Sequence, residues 1–341
     1  MAAPAIYKMD RERPYKWFSR LAPFLVAAVV FAVFSRSLGG EFLQWDDDDN
    51  FLENISYRGL SWTHLKWMFT AFGLGPYSPL MWLSAALDHA IWGMDPFGYH
   101  LSNVLIHCAN AITFYFLCSK LFLIRFPEEK MRISLASGLA ALFFAMHPLC
   151  VETVAWVSTR PNLLLTLFYQ LAILSYFVSH RTGTDKASFW RRHGLALFFF
   201  LLSLLSKGTA VTLPLVLLLL DIYPLGRLAA DPRRWLAPEN RKVLLEKLPY
   251  FALSLAFGAV AILGQVKVGT IVSYEKFGSG SRIAQVLYGL AFYPLKTLIP
   301  LDLMPFYWLP DGFGLFNLQS LLKATGLIAV TGVAFAVRKR R

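Results

Sequence analysis

A run of four adjacent aspartates, Asp46 to Asp49, is the most unusual local feature of the sequence. Neighbouring carboxylates repel one another, so such a run is expected where its charge has a use. One carboxylate could act as a general base toward a hydroxyl group, or several could hold a divalent cation through oxygen ligands. The alternative is a solvated acidic loop. Trp45 and Phe51 flank the run and favour a site close to a membrane surface.

Three basic residues are expected on the same side of the membrane as the acidic run: Arg160, Lys207 and Lys296. Ionisable groups at membrane depth are costly unless they are paired, which makes these residues functional candidates. A phosphate is a natural partner, because Arg offers a two-pronged contact and Lys a point charge. The competing interpretation is that each side chain reaches ordinary phospholipid headgroups.

Four further polar residues are candidate substrate contacts: His147, Glu152, Asp88 and His100. His147 and Glu152 share a short loop, in which Glu152 either binds substrate or orients Arg160. Asp88 interrupts an amphipathic stretch over residues 77–92, which we predict to be an interfacial helix. His100 and His107 share roughly one helix face, but zinc usually needs more ligands than two. A structural role is therefore preferred for this pair, and no metal site is predicted.

The composition indicates that these residues sit in a membrane protein. Of the 341 residues, 56% are hydrophobic and only 16% charged, whereas a soluble chain has about a quarter charged residues. The composition also argues against a long disordered region or a coiled coil. The 3 cysteines are too few for a disulfide framework. A net charge of +12 is interpreted as a signal of membrane topology, and nucleic acid is not an expected partner.

A spanning helix needs roughly 20 residues, and six apolar tracts approach that length. They are residues 21–35, 101–119, 133–146, 162–179, 248–266 and 318–337. Residues 194–220 are interpreted as a helical hairpin that turns near Lys207, because most basic residues then fall on the cytoplasmic side. Residues 283–299 are interpreted as a helix on or in the outer leaflet.

These assignments predict an all-α polytopic membrane protein, a single domain over residues 1–341 with about eight transmembrane helices. Two large loops, residues 36–100 and 267–317, face the non-cytoplasmic side and carry interfacial helices.

Several short motifs, read together, resemble the multi-spanning O-mannosyltransferases that in animals carry tetratricopeptide repeats, and their bacterial relatives. The matching segments, spread over roughly residues 40–310, include Trp45-Asp46-Asp47-Asp48, Ser78-Pro79-Leu80-Met81-Trp82, Tyr99-His100-Leu101-Ser102-Asn103, His147-Pro148, Ala155-Trp156-Val157-Ser158, Ser206-Lys207 and Tyr223-Pro224-Leu225. The chain departs from the family where Arg160-Pro161-Asn162 replaces the common Arg-Lys-Asp and Lys207-Gly208 replaces Lys-Pro. No 34-residue helical repeat is found in the sequence.

The resemblance implies a GT-C class glycosyltransferase, which takes a sugar from a polyprenyl-phosphate carrier on the non-cytoplasmic side. Asp47 would be the base, with Asp46 and Asp48 as the other candidates. Arg160, Lys207 and Lys296 would hold the carrier phosphate. By analogy the transfer inverts the anomeric centre and requires no cofactor, although the acidic run leaves a divalent cation open.

The acceptor implied by the resemblance is a protein or an envelope glycan, in contact with membrane lipid and with an acceptor-presenting subunit as a further expected partner. We predict a bacterial inner membrane, with the endoplasmic reticulum as the alternative. The competing function is a non-catalytic membrane subunit that binds lipid-linked substrate or docks a partner. A transporter is a weaker third candidate, because no matched broken repeats are found.

Overall fold

The computed structural model describes residues 12–72, 77–181, 186–269, 274, 278–305, 307 and four isolated later positions. All regular structure in these residues is helical. The chain divides into two compact units, Met1–Val268 and Gly269–Arg341, and each is described by itself. The second unit contains one long helix in its described part, α12 (Ser279–Leu298).

Eleven α-helices make up the described part of the first unit. They are α1 (Glu12–Phe34), α2 (Trp62–Thr70), α3 (Pro79–Trp92), α4 (Pro96–Arg125), α5 (Lys130–Ala145), α6 (Cys150–Ala155), α7 (Arg160–Arg181), α8 (Lys186–Ser206), α9 (Leu213–Ile222), α10 (Pro238–Leu245) and α11 (Leu248–Val268). Short 3-10 segments lie at Ser35–Gly39, Val157–Thr159, Gly208–Thr212 and Pro232–Arg234, and a π-helical turn lies at Asp48–Leu52.

Four helical stretches are long and apolar enough to cross a membrane. They are Trp17–Gly39, Pro96–Arg125, Val157–His180 and Leu248–Val268. This confirms the prediction of an all-α polytopic membrane protein. The predicted tract at residues 133–146 lies in α5, which has 16 residues. The last predicted tract, residues 318–337, lies outside the described part of the chain, so the number of spans stays a prediction.

The predicted hairpin turn at Lys207 is confirmed. Helix α8 ends at Ser206, Lys207 is extended with φ −162° and ψ 135°, and α9 follows after a 3-10 segment. At the turn, Lys207 Nζ donates to Asn162 Oδ1 at 2.7 Å, in the first turn of α7. Near the end of α9, Asp221 accepts from Tyr176 in the last turns of α7. The chain therefore runs back alongside α7 after the turn.

The buried apolar residues that the structure describes in the first unit form four clusters. One cluster packs α1 against α4 and α5. A second packs α7, α8 and α9 against the start of α11 around Phe200 and Tyr250. In a third, Phe51, Tyr57 and Tyr99 are fully buried, and the Phe51 ring contacts both tyrosine rings. The described part of the segment predicted as the first outer loop thus has its own core.

A charge network is buried at the end of the first unit that we predict to be cytoplasmic. Asp221 is fully buried and pairs with Lys247 at 2.6 Å and with Arg227 at 2.9 Å. Arg227 also pairs with Glu246 at 2.5 Å, and Tyr176 donates to Asp221 at 2.8 Å. The network joins α7, α9 and the start of α11. Each carboxylate meets a cation, which offsets the cost of removing both from water.

We expect Asp221→Ala to destabilise the protein by about 3–5 kcal/mol, because Lys247 and Arg227 would stay buried without their shared carboxylate. Glu239→Ala is the matched control, since this carboxylate is 60% exposed and its ion pair with Arg234 spans 3.8 Å. Thermal unfolding of the purified protein in detergent measures both. Equal melting temperatures for the two variants would contradict a structural role for the network.

The network also predicts a pH dependence centred on Glu246. Burial raises the pKa of this carboxyl, but hydrogen bonds from His180 and Arg227 outweigh burial and lower the pKa to about 2. The folded pKa of Glu246 lies below the ordinary value of 4.5. The contribution of this carboxylate to the free energy of unfolding is therefore complete above pH 4.5 and is lost as the pH falls toward the folded pKa. The stability gap between the wild type and Glu246→Gln should therefore narrow below pH about 4.5. A constant gap would refute this assignment.

Candidate functional site

The acidic run is fixed to the segment that leads into α7. Asp47 is fully buried, and its Oδ1 accepts from the backbone N–H of Ser158 at 3.0 Å and from the Ser158 hydroxyl at 2.5 Å. Its Oδ2 accepts from Leu43 N–H at 3.0 Å. Asn50 donates to Ser158 Oγ at 3.0 Å. We call residues 158–162, which hold the run in place, the α7 junction.

This anchoring makes the four aspartates chemically different. Asp47 points inward and is occupied by three hydrogen bonds, whereas Asp46 and Asp49 are exposed and Asp48 is half-buried. Partial burial and the neighbouring charges of Asp47 and Asp49 raise the pKa of Asp46. A carboxylate with a raised pKa binds a proton more readily. Asp46 and Asp47 thus differ in exposure and in hydrogen bonding, and the choice of the base among Asp46, Asp47 and Asp48 stays a prediction.

Arg160 forms a fully buried brace between three helices. Its NH1 pairs with Asp88 of α3 at 2.5 Å and donates to Ser84 Oγ of the same helix at 3.3 Å. Its Nε donates to Asn103 Oδ1 of α4 at 2.8 Å. Its NH2 donates to the Tyr99 carbonyl at 2.8 Å. The first residue of α7 is thereby tied to α3 and α4.

This brace bears on two of the sequence-based predictions, which stay predictions. Arg160 was expected to hold a phosphate and Asp88 to contact substrate, but their side chains are 0% and 7% exposed and are bound to each other. Asp88 also accepts from Ser102 at 2.5 Å. The physical reason is that a buried guanidinium needs a buried counter-charge, and Asp88 supplies it. Neither side chain is presented to a ligand in this structure.

His100 lies inside the same layer. It is 2% exposed, and a Cβ added at Gly40 would stand 3.1 Å from its Nε2. The close approach of the backbone at Gly40 therefore covers the imidazole. The expectation that His100 contacts substrate is not supported by this placement.

Lys207 and Glu152 lie at the other end of the α7 junction. Lys207 is half-buried and bonded to Asn162, while Glu152 is exposed and close enough to act on it electrostatically. Burial lowers the pKa of Lys207, and Glu152 partly offsets that effect. His147 is half-buried, and its Nδ1 accepts the Leu149 N–H at 3.2 Å. The roles predicted for Lys207, Glu152 and His147 stay predictions.

Lys296 lies in the second unit. Its Nζ donates to the carbonyls of Leu301 and Asp302, and the Tyr307 ring centroid is 5.6 Å away. It lines a cavity of about 460 Å³. Within the first unit, Arg160 and Lys207 both border the α7 junction. The predicted meeting of Lys296 with these two residues stays a prediction.

Sequence analysis did not single out Ser158, Asn162 or Asn103 as separate site residues. Ser158 holds Asp47, Asn162 holds Lys207, and Asn103 holds Arg160. The signal that could have found Asn103 is an amide in a helix long and apolar enough to span a membrane, where an unpaired polar group is costly. Among the described residues, no group of three or more His, Cys, Asp or Glu side chains is placed to hold a metal ion.

Comparison with known proteins confirms the resemblance. The chain is 29% identical over 223 residues to protein O-mannosyl-transferase TMTC4 of Homo sapiens, a match that covers 60% of this chain and 30% of the relative. It is 32% identical over 221 residues to human TMTC1, covering 60% and 24%. It is 35% identical over 158 residues to Tmtc1 of Drosophila melanogaster, covering 46% and 17%. The matches thus cover less than a third of each relative.

No protein-family model matches the chain, and no solved structure matches it. The geometry of the acidic run and the α7 junction therefore comes from this structure alone.

The brace generates a test that separates a structural arginine from a phosphate ligand. Arg160→Gln should cost about 3–5 kcal/mol of stability, because Asp88 would be buried without its cation. Adding Asp88→Asn should restore part of that loss, since the double variant buries no charge. Thermal unfolding measures the cycle, with the exposed Lys66→Gln as control. A stable Arg160→Gln protein that binds the donor more weakly would instead support a phosphate-binding role for Arg160.

Proposed function

We propose that this protein is a membrane glycosyltransferase that transfers a sugar from a polyprenyl-phosphate carrier to a hydroxyl group on the non-cytoplasmic face. One observation carries the proposal: the acidic run and Lys207 are attached to the two ends of the same short junction, at Ser158 and Asn162. An exposed carboxylate and a half-buried cation are thereby held on the same side of the membrane bundle. A hydroxyl acceptor and a phosphate leaving group need these two charges.

In the proposed reaction, Asp46 accepts the proton of the acceptor hydroxyl. The acceptor oxygen forms a bond to the anomeric carbon as the bond from that carbon to the carrier phosphate oxygen breaks. The electron pair of the broken bond stays on the phosphate, where Lys207 stabilises the added charge. Attack opposite the leaving group inverts the anomeric centre. The atoms balance without a cofactor or metal ion.

Asp47 and Ser158 contribute by position. The three hydrogen bonds to Asp47 fix the backbone on which Asp46 stands, and preorganised geometry lowers the barrier of a transfer reaction. We assign Lys296, with Glu152 and His147, to the same outer face as further donor or acceptor contacts. Arg160 supports the site through the brace and touches no substrate.

The names of the relatives support mannose as the sugar and a protein as the acceptor. An envelope glycan acceptor and an acceptor-presenting subunit remain part of the proposal, because the matches cover less than a third of each relative. We place the active face on the periplasmic side of a bacterial inner membrane, with the endoplasmic reticulum as the alternative. The relatives named above are animal proteins. The proposal of a bacterial membrane is therefore based on the sequence motifs alone.

Asp46→Asn should lower sugar transfer about a hundredfold or more, because the amide cannot accept the hydroxyl proton. Asp49→Asn is the matched control, since it removes a neighbouring exposed charge and should retain most of the activity. The assay follows mannose from mannosyl-phosphoryl-undecaprenol to a serine- and threonine-containing peptide, with and without EDTA. Thermal unfolding establishes that each variant is folded.

Full activity in a folded Asp46→Asn protein would refute Asp46 as the base, and full activity in Asp47→Asn and Asp48→Asn as well would refute any base among these three residues. Loss of transfer in EDTA would refute the metal-independent reaction. Binding of the lipid donor without any transfer, together with stoichiometric copurification of another protein, would instead support the non-catalytic subunit.

A further inference from the structure

A cleft of about 390 Å³ separates the hairpin turn from helix α11. Its walls are largely apolar, and a lysine lies in its lining. Its lining includes Tyr77, Leu204, Lys207, Val211, Phe257 and Ala261. We call this space the hairpin cleft. It lies within the first unit, beside the α7 junction to which Lys207 is bonded.

Small residues on α11 keep the hairpin cleft open. A Cβ added at Gly258 would meet nothing within 4 Å, which shows that open space adjoins the helix at that position. By contrast, a Cβ at Gly208 would stand 3.2 Å from the Cβ of Ala261, so the turn and the helix approach closely there. Ser254 also donates to the Val211 carbonyl at 3.0 Å. These two contacts fix the hairpin turn against α11 beside the cleft.

Positive charge lies at one end of the hairpin cleft. Lys207 donates to a neutral partner, the Asn162 amide oxygen, and the Glu152 carboxylate lies near enough to interact with it electrostatically. Lys267 stands 4.6 Å from the Phe72 ring, which stacks on Tyr77 in the lining. The deeper wall around Phe257 is apolar. An occupant of matching chemistry has an anionic head and a hydrocarbon chain.

The cleft is placed where a lipid can enter it. Helix α11 is a candidate membrane span, and its neighbouring side chains Leu255, Ile262 and Val266 are 75%, 63% and 58% exposed. From Gln265 down to Phe257 the lining extends about 12 Å along the helix, at 1.5 Å per residue. This length accommodates the part of a chain nearest its headgroup.

We propose that the hairpin cleft binds the phosphate-proximal isoprene units of the carrier lipid, with the phosphate placed at Lys207. This inference rests on the proposed function and names the subsite that selects its donor. Each isoprene unit that packs into the cleft buries apolar surface against the lining. This packing fixes the phosphate beside the α7 junction. The protein therefore distinguishes polyprenyl phosphates by the chain as well as by the charge.

The test compares mannosyl phosphates of one isoprene unit, prenyl, with those of four, geranylgeranyl. In the wild type, KM should be at least about tenfold lower for the longer donor. Gly258→Phe fills the cleft beside Phe257 and should remove most of that difference by raising the KM for the geranylgeranyl donor. Gly194→Phe, at an exposed α8 position where a Cβ also meets nothing within 4 Å, is the control for membrane partitioning and should keep the wild-type difference.

Melting temperatures identify variants that fold poorly, and the smaller Gly258→Leu then replaces Gly258→Phe. If Gly258→Phe transfers mannose with the wild-type chain-length dependence, the inference is overturned and the proposed function stands.

A direct measurement is independent of turnover: a benzophenone-bearing geranylgeranyl phosphate should label α11 near Ala261, and Gly258→Phe should abolish the label. Equal competition by phosphatidylglycerol would make the cleft a general lipid site and overturn the inference even if the enzyme is active.

Discussion

The buried ion pair between Arg160 and Asp88 is the contact on which the outer half of the molecule depends. A guanidinium out of water is costly until a counter-charge and hydrogen-bond acceptors surround it. Arg160 finds them on α3 and α4, so the first turn of α7 must stand where those helices meet. The α7 junction takes its position from that contact. Through Ser158, so does the acidic run.

The same physics separates the structural charges from the functional ones. At the other end of the first unit, Asp221 and Glu246 are each matched by cations, and the network ties the helix ends together. Lys207 is different, because its close partner is a neutral amide and a cleft opens beside it. A half-buried cation next to an apolar space is suited to an anionic lipid. The buried network thus supports the fold, while the cation beside the cleft is the one that we propose binds a ligand.

Pattern and composition were sufficient for the features that depend on local physics. Apolar length predicted the spanning helices, and the distribution of basic residues predicted the hairpin turn at Lys207. The amphipathic stretch at residues 77–92 became α3. For Arg160 and Asp88, the fold supplies a partner that sequence pattern does not show. Each was assessed as a lone charge facing headgroups, whereas a residue 72 positions away neutralises it in the fold.

The sequence by itself determined that this is an all-α membrane protein with an acidic run and a few cations on one face, because hydrocarbon thickness and charge bias act on every residue locally. It gave Asp47 as the preferred base and left Asp46 and Asp48 open. Only the tertiary structure made their surroundings different: Ser158, 111 residues away, draws Asp47 inward and leaves Asp46 exposed. Hydrogen bonds between distant segments form where helices pack, and packing is a property of the whole chain.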